Sequence, residues 1–176
     1  MERCNTKWAA LGYLFIQAAW TASAASYVTF NVQGLLNATP VGINDSGAIA
    51  GSYLFGGFLR SSNGNFATFA CPGDNRTYPA AVNASGTVTG RCFVVGGSVI
   101  QGFVIPAGGT ITTFQPTGYP YVFPSAINAS GAIAGTAEDS SYIIHGLLGS
   151  PSGTLTVFDP PGSESTQATG IDDKAA

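Results

Sequence analysis

A ten-residue phrase occurs three times, at Gly42 to Gly51, Ala81 to Gly90 and Ala126 to Gly135, each built around Asn-x-Ser-Gly. Any fold of this chain must give those three stretches the same conformation. An apolar residue precedes each Asn, and small and apolar residues alternate after each Gly, the pattern of two antiparallel strands joined by a tight turn. Asn44, Asn83 and Asn128 suit the first position of a type I turn because the side chain caps backbone amides. Gly47, Gly86 and Gly131 suit the left-handed bulge that follows. Beyond the turn, Gly51, Gly90 and Gly135 recur in mid-strand, where glycine costs stability unless another backbone comes close. They predict sheets packed tightly against each other.

Two further anchors share this period. From a strand-ending Phe to the next hairpin corner is 14 residues each time: Phe30 to Asn44, Phe69 to Asn83, Phe114 to Asn128, Phe158 to Asp172. From a Gly that precedes an apolar residue to the next Phe is always 12: Gly57 to Phe69, Gly102 to Phe114, Gly146 to Phe158. The connection between Asn and that Gly varies, at 13, 19 and 18 residues. The reading is four strands per unit, A to D, with all variation in length between B and C. Units fall at about 40–72, 79–115 and 124–160, with partial strands at 27–32 and 167–172. The fold class is all-β, of repeated four-stranded antiparallel units resembling the blades of a β-propeller. Such a unit cannot bury both faces alone, so neighbours stack. A closed ring, an open array, a ring completed by a second chain and a piece of a longer repeat all fit three full units.

Composition agrees. Only 9% of 176 residues are charged, while 24 Gly and 10 Pro accompany 45% hydrophobic residues, which favours short strands and turns and argues against disorder. Arg3 and Lys7 precede a mostly apolar run from Trp8 to Trp20, and Thr21 to Ala25 are small. Residues 1–25 therefore read as a secretory signal peptide, since a run of 13 is short of the roughly 20 that a membrane-spanning helix needs. The mature chain, 26–176, is expected to be one domain without a stable membrane span. Removing Glu2, Arg3 and Lys7 from six basic and nine acidic residues leaves four and eight, a formal charge of −4. With only Arg60, Arg76, Arg91 and Lys174 remaining, nucleic acid is not an expected partner. Cys4 leaves with the signal; Cys71 and Cys92 stay as an even pair that suits a disulfide, the alternative being two buried thiols.

The phrases Asn44-Asp45-Ser46-Gly47-Ala48-Ile49-Ala50-Gly51, His145-Gly146-Leu147, Phe158-Asp159-Pro160-Pro161-Gly162 and Ala168-Thr169-Gly170-Ile171-Asp172-Asp173 resemble the bacterial extracellular repeats of the HAF family. The likeness covers nearly all of the chain after residue 25. The family's His-Ala-Phe tripeptide stands here only in altered form, as His145-Gly146-Leu147, Gly56-Gly57-Phe58 and Gln101-Gly102-Phe103. The resemblance implies a secreted or periplasmic bacterial protein, and it brings no catalytic residues with it.

Following the strands up and down a unit puts the D-to-A and B-to-C connections at one rim and the hairpin corners at the other. Loops of uneven length gathered on one face form binding surfaces in repeat proteins. The exposed candidates there are Arg76, Tyr78, Tyr119, Tyr121, Glu138, Asp139 and Tyr142, rings beside a few polar groups, as a sugar or peptide site uses. The same tyrosines would otherwise cover strand ends as ordinary packing. Glu138 and Asp139 are adjacent, so in extended chain their side chains diverge, unlike a carboxylate pair flanking a scissile bond. His145 has no repeated carboxylate or Ser motif beside it. No His and Cys cluster has metal-ligand spacing, Asp45 is replaced by Ala84 and Ala129 in the other copies, and no cofactor is expected. Five Asn-x-Ser/Thr sequons, at Asn37, Asn44, Asn75, Asn83 and Asn128, are explained largely by turn chemistry. The expectation is a non-enzymatic module that binds a polysaccharide or protein. The alternatives are a structural, self-associating envelope protein with open strand edges, or a glycoside-acting enzyme by analogy with other propellers.

Overall fold

A computed structural model describes residues 32, 34–73, 76–94 and 96–174, which belong to one compact unit starting at Val32. The expected signal peptide, and all but Val32 of the expected strand at 27–32, lie outside the described residues. Those residues contain strands and turns and no helix. Twelve strands follow one another as three four-stranded meanders. The first contains β1 (Thr39–Ile43), β2 (Ile49–Tyr53), β3 (Gly56–Arg60) and β4 (Phe66–Phe69). The second is β5 (Thr77–Val82), β6 (Val88–Phe93), β7 (Ile100–Ile105) and β8 (Thr112–Phe114). The third is β9 (Tyr121–Ile127), β10 (Ile133–Glu138), β11 (Ile144–Gly149) and β12 (Leu155–Phe158). Pairing within each meander is antiparallel. One parallel bridge, Ile100 to Tyr121, joins the second to the third.

Each Asn-x-Ser-Gly corner is the same object. Gly47 N donates to Asn44 O at 2.9 Å and Asn44 N to Ala48 O at 3.0 Å, with equivalent pairs at Asn83 and Asn128. The glycines take φ of 80°, 81° and 92°, the left-handed region that a side chain resists. Each Asn Oδ1 accepts the backbone N–H four residues on, from Ala48, Thr87 and Ala132 at 2.9, 2.9 and 2.8 Å. The other end of the amide reaches across units. Asn44 Nδ2 donates to Asn83 O at 2.9 Å, Asn83 Nδ2 to Asn128 O at 2.9 Å, and Asn128 Nδ2 to Asp172 O at 3.0 Å. One residue type at one position thus closes a turn and staples it to the next unit. Because Asn83 and Asn128 are buried and bonded through both amide atoms, their sequons are turn chemistry.

The mid-strand glycines have a different cause from the one expected. The first strand of every meander carries a bulge just after a proline: at Pro40 to Gly42, Pro79 to Ala81, and around Ser125 after Pro124. Proline has no N–H to give to the ladder, so a bulge is where it fits. The bulged strand aims a carbonyl at its neighbour: a Cβ on Gly51, Gly90 or Gly135 would run into the oxygen of Thr39, Tyr78 or Phe123. The close approach is therefore to the adjacent strand within one sheet, not between sheets. The second glycine series does a separate task. Gly57, Gly102 and Gly146 sit directly opposite Phe69, Phe114 and Phe158 in the ladder, and each ring lies over its glycine where a Cβ would be. That pairing explains the constant 12-residue gap.

The cores lie between units. Ala50, Val88, Cys92 and Phe103 cluster with Leu59 and Phe69 of the first meander. Val122, Ala137 and Leu147 of the third pack with Phe114 of the second. Phe58, Phe103 and Leu147 are fully buried, each stabilising the fold by about 2 kcal/mol. Cys71 and Cys92 form a disulfide with Cα atoms 5.9 Å apart. It ties the connection after β4 to the end of β6 over a separation of 21 residues, a loop whose closure is worth about 3 kcal/mol. Residues 163–172 form no strand, yet they continue the series. Ser125 Oγ donates to Ala168 O at 2.7 Å, Thr166 N to Ile144 O at 2.9 Å, and Ala129 N to Asp173 Oδ1 at 2.8 Å.

Candidate functional site

The rim opposite the Asn corners collects the starts of β5 and β9, the ends of β6 and β10, and the loops between them. Its clearest feature is the connection Asp139 to Ile143. Asp139 N donates to Ile143 O and Tyr142 N to Asp139 O, both at 3.1 Å, while Asp139 Oδ1 accepts the N–H groups of Ser141 and Ile143 at 2.8 and 3.0 Å. This is the Asn-x-Ser-Gly corner rewritten as Asp-Ser-Ser-Tyr. Tyr142 occupies the glycine position at φ 63°, where a non-glycine residue costs roughly 1–2 kcal/mol. The residue is 68% exposed, and its ring stacks on Tyr121 with centroids 5.6 Å apart and planes 11° from parallel. A hydrogen bond with the Tyr142 hydroxyl, then the charge and burial around it and Glu138, holds the Tyr121 phenol above its ordinary pKa.

Behind this pair stands His145 at the start of β11. Its ring meets Tyr119 edge-on at 5.3 Å, its Nδ1 lies 2.6 Å from Asp159 Oδ2, and its Nε2 lies 3.7 Å from Asp139 Oδ2. The hydrogen bond to Asp159 raises the imidazole's pKa, against an opposing effect of burial and with help from both carboxylate charges. Asp159 is lowered chiefly by the same bond and next by Thr166. Asp139 is lowered chiefly by the Ile143 N–H. Glu138 and Asp139 take different partners, the first beside Tyr121 and the second in the turn and at His145. The His145 position belongs to the repeat: Gln101 and Gln115 occupy the equivalent places and bond through Nε2 and Oε1 at 3.2 Å. The 14-residue step from 101 to 115 and from 145 to 159 is the signal that locates both pairs.

The two remaining candidates stand apart, in the second meander. Arg76 lies over Phe93 at 4.6 Å, and Tyr78 meets Phe93 edge-on at 5.8 Å. Sequence reasoning missed what links the two groups. Arg91, opposite Tyr78 in the ladder, places its guanidinium 5.1 Å over Tyr78 and 5.6 Å over Phe123 of the third meander. Phe123 is two residues from Tyr121 on the same strand, so both point to the same side. The candidates thus form one run, Arg76, Phe93, Tyr78, Arg91, Phe123, Tyr121, Tyr142, with Tyr119, Glu138 and Asp139 beside its far end.

Two cavities lie elsewhere. One of about 490 Å³ lies between β3 and β4 of the first meander and β6 and β7 of the second, bounded by Leu59, Phe69, Val88, Ile105 and Ile111, and it continues the core between them. Another, of about 390 Å³, lies among the Asn corners and is bounded by equivalent residues after β1, β5 and β9 and by 171–173. Among the described residues no His, Cys, Asp and Glu group could hold a metal ion, and no helix is long and apolar enough to cross a membrane. No protein-family model and no curated protein matches the chain.

Proposed function

We propose that this chain is a secreted, non-enzymatic repeat module of the HAF type that binds a surface polysaccharide along the aromatic rim. On this reading the three meanders are propeller blades, and the Asn corners, with the cavity they bound, mark the axis on which the blades converge. The observation that carries the binding assignment is Tyr142. A large ring stands in solvent at a left-handed backbone position, a cost to folding with no core contact in return, and it extends a stacked pair. Exposed rings with hydrogen-bonding groups beside them are what pyranose faces and hydroxyls require. Tyr142→Gly is expected to raise stability by about 1 kcal/mol by relieving the backbone, and to lower retention on a glycan array at least tenfold, as are Tyr119→Ala and Tyr121→Ala. Undiminished retention in all three variants refutes the assignment.

A second reading, self-association, is favoured by the outer face of the third meander. Phe69 and Phe114 are half-buried against the following unit, whereas Phe158 is 41% and Leu148 39% exposed. Light scattering across rising concentration is expected to show assembly that Phe158→Asp abolishes. A monomer at every concentration rules it out.

A further inference from the structure

We propose that Arg91 is a carboxylate receptor, so that the rim takes an acidic polysaccharide made of uronate sugars; this deepens the rim reading and rests on it. In a chain with nine acidic and six basic residues, a half-buried cation ordinarily acquires a carboxylate. Arg91 has none: among the described residues its partners are the rings of Tyr78 and Phe123, at 5.1 and 5.6 Å. Two rings from two different meanders hold one guanidinium. Contact with the rings uses none of the guanidinium's hydrogen-bonding capacity, and its N–H donors form the planar fork that matches both oxygens of a carboxylate. Cation–π attraction stabilises the cation, and no carboxylate among the described residues pairs with it. The receptor is therefore preorganised and unsaturated. Downstream, Tyr121 lies roughly 7 Å along the strand from Phe123, within reach of the next sugar ring. A guanidinium set among exposed rings suits a polymer that offers both pyranose faces and carboxylates.

The test is isothermal titration of the full chain with polygalacturonate, its fully methyl-esterified form and dextran sulfate. Polygalacturonate is expected to bind; the ester, with the same sugars and no carboxylate, at least tenfold more weakly; Arg91→Gln at least tenfold more weakly on the acid form. Arg91→Lys keeps the charge and loses the fork, and is expected to lose most of the affinity with an unchanged melting temperature. A purely structural cation–π pin predicts the reverse, lower melting with affinity intact, and that result overturns the proposal. So does equal binding of acid and ester, binding of dextran sulfate alone, or no binding of polygalacturonate. The two readings fail separately. Ester binding that depends on Tyr142 but not on Arg91 sinks the receptor and keeps the rim, while acid binding lost in Arg91→Gln but untouched in Tyr121→Ala and Tyr142→Ala keeps the receptor and sinks the stacked tyrosines.

Discussion

Asn83→Asp is expected to destabilise the chain by about 4 kcal/mol at neutral pH, although it changes a single amide group to a carboxylate. Asn83 is 5% exposed. Its Oδ1 cap on Thr87 survives the change, but the atom that donates to Asn128 O at 2.9 Å becomes an oxygen facing an oxygen. A buried charge then lies against an acceptor it cannot satisfy. The introduced carboxyl is pushed up in the folded state, so the lost stability is regained at low pH, where it protonates and its O–H can donate, and vanishes as pH rises past the folded-state value. Urea melts at neutral pH and near pH 3.5, set against the unmodified chain, read this directly. The same change at the more exposed Asn44 is expected to cost about 1 kcal/mol. An equal loss at both positions, or a loss independent of pH, contradicts the staple.

Gly90→Ala is expected to cost about 3 kcal/mol, far more than a helix-scale glycine change. The new methyl would meet the Tyr78 carbonyl and lie 2.7 Å from the Pro79 Cα. These are backbone atoms of the neighbouring strand, held by the bulge, and they cannot turn aside. Gly102→Ala, one strand over, provides the control. There the nearest atoms to the methyl all belong to the Phe114 ring, a side chain that can swing away, at a cost of about 1 kcal/mol. Equal melting temperatures for the two variants would mean that the bulge does not dictate the glycine.

What could be read from the sequence was what depends on spacing. The corners at 44, 83 and 128 and the four strands per unit follow from counting residues, because ladders preserve register over any number of repeats, whereas the Cys71–Cys92 bond is one of two readings of an even cysteine count. The bulge escaped notice, although Pro40, Pro79 and Pro124 mark it, because one extra residue leaves the period intact and changes only where a carbonyl points. The reason for Gly51, Gly90 and Gly135 was misread with it. Tyr119, Tyr121, Glu138, Asp139 and Tyr142 do gather at one place. Arg91 was invisible as a site residue because its partners, Tyr78 and Phe123, are 45 residues apart from each other in the chain. Only the stacking of one unit on the next brings them together. The segment expected to be a strand at 167–172 shows none: the first strand of each meander pairs with the second, and no strand follows 172 among the described residues.

The asparagine series also has a direction. At every junction the earlier corner offers the N–H and the later one the carbonyl, so the array has a donating sense that never reverses. A two-fold axis at either extremity would oppose like groups. Copies that prolong this series must do so head to tail. Asp172 accepts from Asn128 but, having a carboxylate where the others have an amide, cannot hand the interaction on. The polarity is written into a single atom.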